Sequence, residues 1–121
     1  MSKPKYTITL FVYDRVKIPD VLPRQAKFEV GIVVRDIRKK LQFTQDELEQ
    51  LNIQEKEGGR IVWNVKTDTG KAFQFTELEM TIIRGNLKTL DGKEELPTDD
   101  RFLDMYEKFI EAKKDIEEKE A

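Results

Sequence analysis

The sequence predicts a mainly helical α+β domain, and three observations carry that expectation. Two Thr-x-x-Glu caps each follow a phenylalanine, residues 27–42 carry an apolar stripe of helical period, and two short β-rich runs surround Trp63 and Phe75. In chain order these give a helix-helix-β-hairpin core of winged-helix-like order, followed by a C-terminal antiparallel helix pair. A length of 121 residues suits one globular domain over residues 1–116, with 117–121 as a frayed polar tail.

The first segment reads two ways. Tyr6, Ile8, Leu10 and Val12 alternate as a strand would, whereas Ile8, Phe11, Val12, Arg15 and Ile18 fit one helical face. A helix over Ile8 to Lys17 is the expectation and a strand the alternative, since the β-branched residues around Thr7 and Thr9 favour extended chain. Pro19 and Pro23 should end whichever element forms. The second helix is better marked. Val30, Val33, Val34, Ile37 and Leu41 make one stripe, although Gly31 and the valines weaken its first turn, which packing must then hold.

At Thr44 a capping box with Glu47 coincides with a Phe43 to Leu48 hydrophobic staple, so a short helix starts there and stops near Asn52. Ile61 to Val65 and Ala72 to Phe75 are then expected to pair as a hairpin. Placing Trp63 opposite Phe75 and Val65 opposite Phe73 keeps large residues on one side and leaves Asp68-Thr69-Gly70 as the loop, with Gly70 in the left-handed position. In that register Trp63 packs into the core. Thr76 with Glu79, and Phe75 with Met80, repeat the cap and staple, so a helix runs to about Leu90 and stops at Gly92. The last helix opens at Thr98 behind Pro97, with Asp99 and Asp100 near its positive end and Phe102, Tyr106, Phe109 and Ile116 along its stripe.

Composition limits the chemistry. The chain has neither His nor Cys, which excludes disulfides and removes the commonest general base, the thiol nucleophile and the ordinary zinc ligand sets. Asp99, Asp100 and Asp104, with Glu94 and Glu95 before them, lack the spacing of a calcium loop and read as helix-terminus acids. Gly58-Gly59 and Gly70 precede strand residues, so no phosphate-binding loop is expected, and no Gly-x-Ser-x-Gly elbow occurs. A non-enzyme without cofactor, metal or small-molecule substrate is therefore predicted. With no long apolar run and no apolar leader, the expected setting is soluble and cytoplasmic, the host cytoplasm if the chain is viral, with no membrane partner.

Charge is unevenly placed. Residues 1–41 hold ten Lys and Arg against four Asp and Glu, a balance of +6, and residues 42–121 hold twelve against twenty, a balance of −8. The candidate binding face is basic: Arg35, Arg38, Lys39 and Lys40 on the second helix, with Lys66 and Lys71 flanking the expected wing turn. Against a DNA reading, the helix in the recognition position carries Asp46, Glu47 and Glu49 and no cation, which phosphates repel.

Arg15, Leu22-Pro23, Arg35-Asp36-Ile37-Arg38, the run Leu41 to Glu47, Trp63-Asn64 and Met105 to Phe109 together resemble small phage and prophage proteins of uncharacterised function. Those share a leucine-proline corner, an Arg-rich helix, a Phe-Thr or Phe-Ser capped acidic helix and a tyrosine-containing last helix. The resemblance implies a viral or mobile-element origin and assigns no residue a role; Pro19 and the valine-rich second helix depart from it. The expected function is a non-catalytic protein-binding module, a phage accessory factor engaging a host or phage complex. A winged-helix-like DNA-binding regulator is the alternative, and a virion structural component the third reading.

Overall fold

A computed structural model describes residues 5–115; the N-terminal four residues, Ile116 of the expected last-helix stripe and the tail 117–121 lie outside the described residues. The class is the one the sequence predicts, with five α-helices and two small antiparallel sheets among the described residues. The elements are β1 (Lys5–Leu10), α1 (Val12–Val21), α2 (Phe28–Leu41), α3 (Gln45–Leu51), β2 (Gln54–Glu55), β3 (Ile61–Val62), β4 (Lys71–Thr76), α4 (Glu77–Gly92) and α5 (Asp100–Ile110).

The first segment divides, which corrects the helix expected over Ile8 to Lys17. Tyr6, Ile8 and Leu10 alternate inward as β1, and the chain turns at Phe11 into α1, so both periodicities are real but consecutive. The Phe11 amide donates to Asp14 Oδ2 at 2.9 Å, and the Val12 amide reaches Asp68 Oδ2 at 3.2 Å from a distant loop. These two carboxylates satisfy donors that the start of a helix leaves open. The helix also runs two residues beyond Pro19 before it stops.

The expected hairpin does not form. β4 pairs with β1, setting Tyr6 opposite Phe75 and Ile8 opposite Phe73, while β3 pairs with β2. Trp63 lies beyond β3, and Val65–Thr67 is a single 3₁₀ turn, so neither Trp63–Phe75 nor Val65–Phe73 exists as a strand pair. The wing expected of Ile61–Val65 and Ala72–Phe75 is therefore not formed, and the antiparallel pair that follows α3 is the two-residue β2–β3 pair instead. Gly70 does have a positive φ of 86°, but it serves the entry to β4: a Cβ there would stand 2.8 Å from Thr9 Cγ2.

Both strands bury one face, Tyr6, Ile8 and Leu10 with Phe73 and Phe75, against the helices. Helix α4 is central and touches α1, α2, α5, β1 and β4. Its Met80, Ile83 and Leu87 meet Ile37 and Leu41 of α2 and Phe102, Met105 and Phe109 of α5 in one core, with Phe75 and Phe109 edge to face at 5.6 Å. The capping boxes at Thr44 and Thr76 form as predicted, with Thr44 Oγ1 and Thr76 Oγ1 each accepting a backbone N–H at 3.1 Å. The last helix is capped by Asp99, one residue after the expected Thr98.

Candidate functional site

The residues of the expected basic face meet different fates. Arg35, Arg38 and Lys39 are exposed on α2, and none of them is ion-paired among the described residues. Lys40 is held inward: its Nζ donates to Gln74 O at 2.7 Å, pairs with Glu79 at 2.6 Å and lies 5.0 Å from the Phe75 ring centroid. It closes the outer edge of β4, a protection that charged residues commonly give to an unpaired strand. Lys71 pairs with Glu47 at 3.2 Å, and Lys66 is exposed in the 3₁₀ turn. Two of the six expected cations, Lys40 and Lys71, are thus ion-paired, and the other four are not paired among the described residues.

Glu47 belongs to a structural network. Its carboxylate accepts from both terminal nitrogens of the buried Arg15 at 3.0 Å, from Thr44 N at 2.8 Å and from Lys71. The Arg15 guanidinium above all holds the Glu47 carboxyl down at about 2, with the Thr44 amide and Lys71 adding to it against the opposing effect of burial. A depressed carboxyl stabilises the fold when ionised. Its contribution should be complete above about pH 4.5, the ordinary value, and should drain away as pH falls towards about 2. Discounted for solvent, the loss is about 1–3 kcal/mol. Urea midpoints measured from neutral to acid pH should fall over that window, and Glu47→Gln should be less stable at neutral pH with a shallower acid decline.

The more distinctive feature lies where α1 begins, α5 passes and the chain leaves β3. Phe11, Tyr13, Trp63 and Val65 line a cleft of about 440 Å³ together with Arg101 and Lys108. Val65 is 62% exposed and Phe11 40%, large openings for apolar side chains that stand side by side. Arg101 stacks over Trp63 at 5.3 Å and Tyr13 at 5.8 Å, and Lys108 lies 5.2 Å from the Phe11 ring while pairing with Asp14 at 2.8 Å. The Tyr13 hydroxyl donates to Asp99 Oδ1 at 3.3 Å, and burial, followed by the Asp99 charge, pushes the phenol up to about 12, so it stays a neutral donor at physiological pH.

Two details describe what this cleft can receive. Trp63 Nε1 is buried, with no acceptor among the described residues, so it offers no donor at the cleft surface. The cleft's charges also nearly cancel, Asp14, Asp68 and Asp104 against Arg101 and Lys108. A neutral, largely apolar segment suits that balance, whereas a carboxylate would meet three aspartates. Trp63 lies outside the core expected of it because β3 ends at Val62 and pairs with β2, away from Ala72 to Phe75. A usable signal lay at Phe11: once Tyr6, Ile8 and Leu10 face inward, the next aromatic falls out of phase.

Comparison with protein-family models, with curated proteins and with solved structures finds no match to this chain. No helix among the described residues is long and apolar enough to cross a membrane.

Proposed function

We propose that this chain is a non-catalytic protein-binding module that takes an extended segment of its partner into the Phe11–Trp63 cleft. The carrying observation is the open apolar wall of Phe11, Trp63 and Val65 beside a stacked arginine, the Trp, Tyr and Arg composition in which binding energy concentrates at interfaces. An apolar side chain of the partner rests on Phe11 and Val65. The Trp63 ring, with Arg101 stacked over it, forms the wall beside that side chain. In the viral or mobile-element setting implied by the resemblance, the module is an accessory factor and the partner belongs to a host or phage complex in the cytoplasm.

Selection from a displayed random-peptide library tests this reading. Peptides enriched on the chain should carry a shared apolar position and few acidic residues, and Val65→Asp should lower their affinity at least about tenfold, the size of a hot-spot loss. Val65 is exposed, so that variant should keep its unfolding midpoint. Enriched peptides that bind Val65→Asp as well as the parent chain would place the site elsewhere.

A further inference from the structure

A second surface lies on the outer face of α2 and shares no residue with the cleft. Phe28 is 79% exposed in the first turn of that helix, the largest exposure of any large apolar side chain described. Ile32, Arg35 and Lys39 follow it at helical spacing, so the four lie along one stripe directed away from Val34, Ile37 and Leu41 in the core. Beside Phe28 is a recess of about 290 Å³ lined by Ala26, Lys27, Phe28, Gly31, Ile32 and Arg35. Its small residues, Ala26 and Gly31, leave room beside the ring, and a Cβ added at Gly31 would meet nothing within 4 Å. Cations stand on both sides: Arg24 and Lys27 before the ring, Arg35, Arg38 and Lys39 after it, all exposed.

An aromatic face open to solvent, an apolar slot next to it and cations strung along the same line are the parts of a single-strand nucleic-acid platform: bases stack, phosphates pair. We infer that the Phe28 face of α2 binds single-stranded nucleic acid without sequence preference, one base resting on Phe28 in the recess and flanking phosphates meeting Lys27, Arg35, Arg38 and Lys39. The whole chain carries −2, so other faces add little to the attraction and the contact is confined to this patch. Duplex DNA fits less well, because stacking on Phe28 needs an unpaired base, and Glu29 and Asp36 border the stripe where a groove wall would lie.

The test is fluorescence anisotropy of a labelled oligothymidylate of about 20 nucleotides, read between about 50 and 200 mM salt. With roughly four phosphates neutralised, affinity should fall about fiftyfold across that range, from a slope of about −0.7 per contact. Phe28→Ala should weaken binding about tenfold and leave the slope unchanged, whereas Arg35→Ser with Lys39→Ser should roughly halve the slope. All three positions are exposed, so the variants should fold as the parent chain does. No binding at the lower salt, tighter binding to the matching duplex, or a Phe28→Ala variant with parental affinity would each overturn the inference. So would a face that ignores the oligonucleotide yet holds polyglutamate or anionic vesicles in a Phe28-dependent way, since its partner would then be an acidic polypeptide or a lipid surface.

Discussion

Arg15→Ala should destabilise the fold by about 3–5 kcal/mol, the loss expected when one partner of a buried ion pair is removed. The side chain is 4% exposed and binds four separate pieces of the molecule. From α1 it donates to Leu41 O at 3.2 Å and Gln42 O at 2.7 Å at the end of α2, and to both oxygens of Glu47 in α3. Its guanidinium also stacks between Phe43 at 4.0 Å and Phe73 of β4 at 4.9 Å. Alanine leaves Glu47 without its main counter-charge, two carbonyls without donors and a gap between two rings. Arg15→Lys keeps the charge but not the planar fork, so it should recover only a part of the loss. Arg15→Met combined with Glu47→Leu should lie above the sum of the single changes, because no unpaired charge remains. Urea unfolding of the four chains measures this, and an Arg15→Ala chain within about 1 kcal/mol of the parent would contradict the network.

The second large effect concerns strand pairing. Thr7 and Gln74 are directly opposite on the exposed side of β1 and β4. The Thr76 amide donates to Glu79 and the Gln74 carbonyl accepts from Lys40, so these residues turn their polar backbone away from β1. Thr7 and Gln74 thus form a non-hydrogen-bonded pair, the closer of the two antiparallel arrangements. The native chain has no cysteine, so Thr7→Cys with Gln74→Cys can form one bridge only. Oxidation should proceed readily and stabilise the fold by about 4 kcal/mol, from the long loop it closes in the unfolded chain. A bridge between Trp63→Cys and Phe75→Cys, the pair expected of a hairpin, should not form in the folded protein. The reverse outcome would restore the hairpin and remove the sheet that positions α1.

The contrast between these two features explains what could be read in advance. Thr44 with Glu47 and Thr76 with Glu79 were legible because a cap is made within four residues, by groups that meet whatever the rest of the chain does. The α2 stripe was legible for the same reason. Pairing β1 with β4 joins Tyr6 to Phe75 across most of the chain, and alternation alone specifies which face is buried without specifying the partner. The nearest segment, Ile61 to Val65, matches Phe73 and Phe75 side for side, yet β1 occupies that edge of β4 and Trp63 lines the cleft. Of the expected basic face, Arg35, Arg38 and Lys39 are exposed on α2, while Lys40 and Lys71 pair with Glu79 and Glu47, partners that only the tertiary fold supplies.

The Trp63 cleft as a peptide site is the central claim, and the single tryptophan makes it directly measurable. In a ¹⁵N-labelled chain the Trp63 side chain gives one indole N–H resonance, to be followed as a peptide enriched by display is added. A displacement of that resonance is expected as the peptide packs beside the ring, with saturation at the same concentration as binding. An indole resonance that stays in place while the peptide saturates the chain would contradict it.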